Sequence, residues 1–424
     1  MSTVRELTPS VDRQRILSEL RTFARIGYSP DGGINRLAFS RADRQARQVL
    51  LHRMRSLRLE PRVDAFGNVF GRLPVAREPD LPPVLVGSHL DTVPGGGRFD
   101  GAAGVVAALE VVAALRQHSV VPRRPVEVVS FACEESSRFG RGTLGSALVA
   151  GTVEPEEILE LRDAHGLTVR QVLELVGLAP DRLATVRRRP GDYTAYLELH
   201  IEQGRVLEET GARLGIVEAI AAPTRFRLEL VGRADHSGAT PMPLRRDALA
   251  GAAEVILAVE RLAQETSGVV GTVGTIRIEP GAINVVPGRA ELGIDVRSSD
   301  RETKATVVEA LRRAVEEIAR RRGLEWSLQT LTDEEPVALH PALAALLERC
   351  ARARGLPALR MVSGAGHDAM QMARICPSGM VLVPSREGIS HSRQEWTPPD
   401  DIVLGTQVLL DAVLHLAEHG LSER

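Results

Sequence analysis

Short apolar runs alternate with amphipathic segments in the first part of the chain. The runs at 84–86 and 126–131 are rich in β-branched residues, as in strands that are buried on both faces of a sheet. The pattern predicts strands at 83–88, 126–133 and 193–201, and helical segments at 101–115, after Thr143, within 154–178 and at 206–208. Strands that alternate with helices are typical of an α/β fold with a central, mostly parallel sheet.

The pattern changes between about 214 and 331. Here the apolar positions predict alternating strands at 226–231, 269–278 and 290–296, separated by helical segments at 245–263 and 302–321. Alternating polarity indicates an antiparallel sheet with helices on one face, and therefore an inserted α+β domain. The alternation of buried strands and helices then resumes, with a helix predicted at 341–354, a strand at 379–383 and a helix at 401–419. We expect a discontinuous domain of residues 1–213 and 333–424 and an inserted domain of residues 214–332.

Length and charge agree with two globular domains. The chain has 424 residues, and single hydrophobic cores stop growing near roughly 250 to 300 residues. The formal net charge is -2 and 25% of the residues are charged, which is ordinary for a globular protein. The arginine clusters at 187–189 and 320–322 lack interleaved aromatic residues, so we expect solvated surface there and no nucleic-acid partner.

The cysteines and the apolar runs bear on location. Cys133, Cys350 and Cys376 are an odd set without close spacing, which argues against a disulfide framework or a thiolate metal site. No run of signal-peptide length is found near the start, and no stretch approaches the roughly 20 apolar residues of a membrane span. We expect a cytoplasmic protein with no membrane partner.

Polar residues with metal-binding chemistry follow the first predicted strand. In His89-Leu90-Asp91 the spacing aims both polar side chains to one side, so His89 can bind a metal while Asp91 accepts its other ring proton. Asp100 follows the glycines at 95–97, which allow close approach of the backbone, and its carboxylate can bridge two cations.

More candidate ligands follow the later strands. Glu134 and Glu135 come after the strand predicted at 126–133, and adjacent residues there point in different directions. One can therefore bind metal while its neighbour, with a pKa raised by the acidic pair, takes a proton from water. Adding His200 and His391 gives imidazoles and carboxylates without thiolate, which suits a pair of zinc, manganese, cobalt or nickel ions.

Each of these features also has a simpler interpretation. A single histidine at a strand end is more often a surface or satisfied core residue, and adjacent glutamates usually form a solvated face. The glycine-rich run at 95–104 could instead cradle a phosphate, although Asp100 would repel it and no Gly-Lys-Ser/Thr follows. The metal hypothesis is favoured because polar residues follow several successive strands, at the edge where open α/β sheets place ligands.

Four motifs resemble the dinuclear-metal amidohydrolases of the peptidase M20 type. In order they are Gly-Ser-His-x-Asp-Thr at 87–92, Glu-Glu-x-x-Arg-Phe at 134–139, Leu-His-Ile-Glu-Gln-Gly at 199–204 and Ser-Gly-Ala-Gly-His-Asp-Ala at 363–369. The chain is most similar to the N-carbamoyl-L-amino acid hydrolases and allantoate amidohydrolases. The resemblance implies a catalytic metallohydrolase domain, two divalent ions per subunit, and a homodimer formed by the inserted domain, which also acts as a lid.

The resemblance also implies a role for each matching residue. It makes Asp100 a bridging metal ligand and Glu134 the general base. We group Asp91, through its expected contact with His89, with Glu134 and His236 as the catalytic residues. The other implied metal ligands are His89, Glu135, His200 and His391. His236 resembles the histidine that stabilises the oxyanion in the partner subunit's site. The residues implied to bind substrate are Gln203, Asn284, Arg297, Gly364 and His367, of which Asn284 and Arg297 form a carboxylate clamp. Without the resemblance, Arg297 would be interpreted as an ordinary surface arginine on a strand, and His236 would be interpreted as a turn residue.

The implied reaction is hydrolysis of the carbamoyl C–N bond of an N-carbamoyl amino acid. Ser136-Ser137 stands where the allantoate enzymes carry an acid and a glycine, which favours carbamoyl amino acids but leaves allantoate and other ureido acids open. Hydrolysis of N-acyl amino acids or dipeptides is a second alternative. A non-catalytic binding protein would not need Glu134 and is disfavoured.

Overall fold

The computed structural model describes residues 9–421. Contacts divide the chain into two compact units, one formed by residues up to Glu218 and from Leu339 onward, the other by Ala219–Ala338. The helices are α1 Arg13–Ala24, α2 Arg41–Ser56, α3 Ala102–Gln117, α4 Leu144–Ala150, α5 Pro155–Leu159, α6 Val169–Leu175, α7 Val206–Thr210, α8 Ala248–Glu265, α9 Arg301–Arg322, α10 Pro341–Ala353, α11 Asp368–Met372 and α12 Pro399–His419. The strands are β1 Glu60–Val63, β2 Val69–Arg72, β3 Val84–His89, β4 Val126–Phe131, β5 Ala195–Ile201, β6 Leu214–Ile220, β7 Ala222–Val231, β8 Asp235–His236, β9 Val269–Glu279, β10 Val285–Val286, β11 Arg289–Ser298, β12 Glu325–Asp333, β13 Val337–Ala338, β14 Ala358–Ser363 and β15 Ser378–Val383.

The large sheet has a parallel centre. Its strand order is β1-β2-β4-β3-β5-β15-β6-β13, with β14 also paired to β6. β3 runs parallel to β4 and β5, and β15 runs parallel to β5. β2 and β6 flank these four strands in antiparallel orientation. The predicted α/β class with a central, mostly parallel sheet is confirmed.

Helices cover the apolar strands of the first unit. β3, β4, β5 and β15 are buried along their whole length, which explains their continuous apolar runs. α3 packs closely because of its small residues: a Cβ at Gly104 would collide with the carbonyl of Leu199.

α12 is long and apolar enough by composition to resemble a membrane span, although no such segment was predicted. Because 61% of its most apolar stretch is buried and it packs on α3, it is a core helix.

The second unit contains an antiparallel sheet with two helices. Its strand order is β12-β7-β11-β9. Burial alternates along β11, so Leu292 and Val296 enter the core while their neighbours do not. α8 and α9 contribute Val255 and Leu311 to the same core. This unit has the antiparallel sheet and the helices that the alternating pattern predicts.

The predicted boundaries at 214 and 332 precede those of the contact-defined units. At the first boundary the difference arises because the start of β6 pairs with β15 in the large sheet, with Ile216 opposite Val381. β12 was not predicted as a strand, because all its residues are partly or fully exposed and it forms an edge of its sheet. The predicted strand at 126–133 ends earlier, at Phe131, which leaves Cys133 in the left-handed region with φ 59°.

Candidate active site

The candidate ligands lie where the parallel strands end. His89 is the last residue of β3, and His200 is the penultimate residue of β5. Glu134 and Glu135 follow β4, and His391 lies in the segment between β15 and α12. Since the carboxyl ends of parallel strands meet at one edge, the topology brings these residues together.

Asp100 is the shared centre of two ligand groups. Its Oδ1 lies 3.3 Å from His200 Nε2 and 3.5 Å from His89 Nε2. Its Oδ2 lies 3.2 Å from His391 Nε2, which is 3.5 Å from Glu135 Oε1. The donor atoms of His89, Asp100 and His200 lie within 4.8 Å of one another, as do those of Asp100, Glu135 and His391. One carboxylate therefore faces two imidazoles on one side and a third imidazole on the other.

The charges in this cluster fit a pair of cations. Burial opposes ionisation of Asp100, but its contacts with the imidazoles of His200, His391 and His89 hold its pKa well below the usual range. Burial and the nearby Asp100 raise the pKa of Glu135 to about 7. Gln203 Oε1 is buried and has no hydrogen-bond partner among the described residues. Crowded carboxylates and imidazoles without thiolates are the donor set that divalent zinc, manganese, cobalt or nickel accepts.

Glu134 lies beside the first ligand group. Its Oε2 is 3.6 Å from His89 Nε2, and its side chain is 11% exposed. Burial raises the pKa of Glu134 well above its usual range, with Asp368 and Glu135 adding to the effect and His89 opposing it. A carboxylate with an elevated pKa next to the ligand cluster is suited to accept a proton from water and return it.

Asp91 makes a different contact from the one predicted. His89 Nδ1 lies 3.0 Å from the main-chain oxygen of Asp91 and 3.9 Å from its carboxylate. The carboxylate instead accepts the backbone N–H groups of Glu134 and Glu135, at 3.2 and 3.1 Å. The backbone turns sharply at Cys133, which brings these two N–H groups to the end of β3. Asp91 thus orients His89 through its carbonyl and the glutamate pair through its side chain.

Two further predicted residues adjoin the cluster. Gln203 Nε2 donates to Asp100 Oδ2 at 2.8 Å. His367 is buried, its ring centroid is 4.5 Å from that of His200, and its Nε2 lies 2.8 Å from Ser363 Oγ. Burial, reinforced by the charge of His200, holds the pKa of His367 well below its usual range. A neutral ring here can accept or donate a hydrogen bond without adding charge. Gly364 lies between β14 and α11.

The remaining predicted residues belong to the second unit. His236 pairs with Val285, and the carbonyl of Asn284 accepts the N–H of Ser237 at 3.0 Å. His236 Nδ1 accepts the N–H groups of residues 238 and 239, both at 3.1 Å, which leaves Nε2 to carry the proton in the neutral ring. Arg297 donates to both carboxylate oxygens of Asp295, at 2.9 and 3.1 Å. The structure therefore brings the predicted metal ligands together in the first unit with Asp91, Glu134, Gln203 and His367. His236, Asn284 and Arg297 lie in the second unit.

Sequence reasoning missed three buried carboxylates near the cluster. Glu198 Oε1 accepts the Ser88 hydroxyl at 2.7 Å and its Oε2 accepts the Ala369 N–H at 3.1 Å. Asp368 Oδ1 accepts the Ser146 hydroxyl at 2.6 Å. The third is Glu395, four residues after His391. The signal in each case was a charged residue inside an otherwise apolar or ligand-bearing run.

Asp368 should make stability depend on pH. Burial and the nearby Glu198 raise its pKa to about 8, whereas an unfolded aspartate releases its proton near about 3.9. The folded chain binds this proton more tightly than the unfolded chain does. The contribution of protonated Asp368 to the free energy of unfolding is therefore fully present below about pH 4 and is lost as the pH rises towards 8. In Asp368→Asn the amide oxygen can still accept from Ser146. We expect this variant to lose less stability than the wild type between about pH 5 and 9 in urea unfolding with chelator present. Equal pH slopes for the two proteins would contradict the expectation.

Comparison with known proteins places the chain in a family. Residues 85–415 match the sequence profile of peptidase family M20/M25/M40. The chain belongs to this family. It is therefore a hydrolase, and the predicted family and the predicted hydrolytic class are both confirmed.

Similar M20 family proteins cover almost the whole chain. An N-carbamoyl-L-amino acid amidohydrolase from Geobacillus stearothermophilus is 42% identical over 96% of this chain and 99% of its own length. An allantoate amidohydrolase from Bacillus subtilis is 34% identical over 96% of this chain and 98% of its own length. The crystal structure of a hydantoinase/carbamoylase family amidase from Burkholderia multivorans superposes with a TM-score of 0.91, at 37% identity over 96% of this chain and 98% of that one. This M20 chain therefore shares its fold with an amidase over nearly its full length.

Proposed function

We propose that this M20 chain hydrolyses the carbamoyl C–N bond of N-carbamoyl-L-amino acids and releases the amino acid, carbon dioxide and ammonia. The observation that carries the proposal is the carboxylate of Asp100, which faces imidazoles of two ligand groups while Glu134 lies beside one of them. The 42% identity to an N-carbamoyl-L-amino acid amidohydrolase supports this substrate class over other acyl groups.

The proposed metal pair has a ligand set within the first unit. His89, Asp100 and His200 would hold one divalent ion, and Asp100, Glu135 and His391 the other. Zinc, manganese, cobalt and nickel all suit these donors. When bound, the ions would polarise the carbamoyl oxygen and lower the pKa of water.

Glu134 carries the proton transfers in this proposal. Its carboxylate takes a proton from the attacking water and delivers it to the nitrogen that leaves the carbamoyl carbon. Cleavage of one carbamoyl C–N bond leaves a carbamic acid, whose decomposition gives carbon dioxide and the second nitrogen product. The carboxylate of Asp91 accepts hydrogen bonds from the backbone N–H groups of Glu134 and Glu135, and so holds this backbone in place for both steps.

The substrate's acid group is assigned to the second unit. Arg297, whose Nε and Nη2 donate to Asp295, carries a planar guanidinium suited to a carboxylate. Asn284 directly precedes β10, which pairs with β8 at His236. We place His236 of the partner subunit at the developing oxyanion of a cytoplasmic homodimer. Its protonated Nε2 is the donor that such a role needs. Gln203, Gly364 and His367 would line the substrate's other side.

A substrate panel tests the proposed reaction. Purified protein loaded with manganese or zinc should release ammonia from N-carbamoyl-L-amino acids, and should do so faster than from allantoate, ureidoglycolate, N-acetyl amino acids or dipeptides. Ammonia and free amino acid are quantified together, because amide cleavage of an N-acetyl amino acid frees an amino acid without ammonia. Absence of ammonia release from every carbamoyl amino acid would contradict the proposal.

Allantoate remains a second candidate because of the 34% identical allantoate amidohydrolase. Against it stands Ser136-Ser137, which departs from the acid and glycine of that group. Faster turnover of allantoate than of any carbamoyl amino acid in the same panel would select this alternative.

A further inference from the structure

Glu395 joins the two loops that carry Asp100 and His391. Its Oε1 accepts the backbone N–H groups of Phe99 and Asp100, at 2.8 and 3.2 Å. Its Oε2 accepts the hydroxyl of Ser390, the residue before His391, at 2.9 Å. Ser390 Oγ also lies 3.1 Å from Asp100 Oδ2. One side chain thus contacts both loops, and Ser390 continues the link to the shared ligand.

The surroundings of Glu395 are built to hold its carboxylate. The residue is only 2% exposed. A Cβ at Gly97 would collide with the carboxyl group of Glu395. Position 97 therefore accommodates only glycine while Glu395 occupies this space. A buried carboxylate with three donors is a fixed structural anchor, because removing it would leave two backbone N–H groups and a hydroxyl without an acceptor.

The histidines of the two ligand groups are held in different ways. His89 and His200 project from buried strands, and each side chain is 2% exposed. His391 lies on a loop, has a left-handed backbone with φ 53°, and its side chain is 52% exposed. These two histidines are held on the strands by the main-chain oxygens of Asp91 and Ile201, which lie 3.0 and 2.9 Å from their Nδ1 atoms, and not by Glu395. The His391 loop is linked to the Asp100 loop by Glu395, and Gln203 Nε2 adds a second link through Asp100 Oδ2 and Ser390 Oγ.

We propose that Glu395 is a positioning residue that fixes the His391 loop against Asp100 and so sets the affinity of the Asp100–Glu135–His391 group for its cation. The inference rests on the proposed metal-dependent function but concerns a residue outside both ligand groups. Its loss should weaken one of the two cation sites far more than the other.

The test measures cation affinity in variants at position 395. Metal-free wild type and Glu395→Ala are titrated with Mn²⁺ by calorimetry, with a chelator of known affinity as competitor. The wild type should bind two ions. Glu395→Ala should bind one ion with near wild-type affinity and the other about 10- to 100-fold more weakly, as for other groups that orient metal ligands.

The conservative variant separates positioning from general destabilisation. In Glu395→Gln the amide oxygen can still accept the two N–H groups, and the amide nitrogen can donate to Ser390 Oγ, whose proton then points to Asp100. We expect this variant to bind both ions within a few-fold of the wild type. Gln394→Ala alters the exposed neighbouring side chain and should match the wild type.

Two results would overturn the proposal: Glu395→Ala with both affinities unchanged, or both affinities lowered by the same factor with no rescue in Glu395→Gln. If Glu395→Ala does not fold, Ser390→Ala removes the hydroxyl that donates to Glu395 Oε2 and lies beside Asp100 Oδ2, while the two backbone hydrogen bonds of Glu395 stay in place. This variant should still weaken one ion selectively, and unchanged affinities there would contradict the proposal. Because the readout is cation binding, a wild type that binds two ions but hydrolyses no carbamoyl substrate contradicts the proposed function alone.

Discussion

Replacing Glu134 by glutamine should abolish most turnover while leaving the cations bound. The variant keeps the size and one acceptor oxygen of the side chain but cannot take up a proton from water. General acid–base catalysis contributes about 10²- to 10⁴-fold, so we expect kcat to fall by at least about 10²-fold. Because Glu134 lies outside both ligand groups, metal content should stay at the wild-type level. Ammonia release and elemental analysis of the same preparation measure the two quantities.

Glu160→Gln is the matched control for this experiment. Glu160 is exposed after α5, and the same change of charge there should leave kcat within a factor of about two. A Glu134→Gln protein with wild-type kcat would remove Glu134 from the role of base. Loss of metal together with activity would assign it to the ligands instead.

Loss of the shared ligand should remove both cations. Asp100 belongs to both ligand groups, so Asp100→Asn removes the negative charge that they share and replaces one of its two oxygens by an amide nitrogen that cannot bind a cation. We expect no measurable turnover and little bound metal. Cations that bind only the folded state stabilise it by about 2.7 kcal/mol at 100 times the dissociation constant. Chelation should therefore lower the Tm of the wild type, and added Mn²⁺ or Zn²⁺ should restore it. The Tm of Asp100→Asn should respond to neither treatment.

The exposed Asp80 provides the control for this loss. Asp80→Asn should retain two ions and the full response of Tm to chelator. A wild type whose Tm and turnover are unaffected by exhaustive chelation would contradict the metal-dependent account. So would an Asp100→Asn protein that still binds two ions.

The sequence predicted the buried elements better than the exposed ones. β3, β4 and β5 were recognisable because strands buried on both faces need continuous apolar runs. β12 has mostly exposed side chains, so apolar periodicity carried no signal for it. β6 was assigned to the inserted domain because its pairing with β15 joins residues far apart in the chain, which a local pattern cannot report.

For the site, residue types and strand ends predicted more than local contacts did. Parallel topology brings the ends of β3 and β5 together, so His89 and His200 could be grouped before their distances were known. The orientation of Asp91 could not be predicted, because it depends on the turn at Cys133 that brings two N–H groups to its carboxylate. Glu395 was missed because its partners are backbone N–H groups about 300 residues away, and no motif records them.

Anomalous diffraction from crystals loaded with manganese or zinc tests the central claim most directly. The account predicts two anomalous peaks in the first unit, one bound by His89, Asp100 and His200 and the other by Asp100, Glu135 and His391. Asp100 should contact both peaks. A single peak, or peaks at other residues with the Asp100 carboxylate bound to neither, would contradict it.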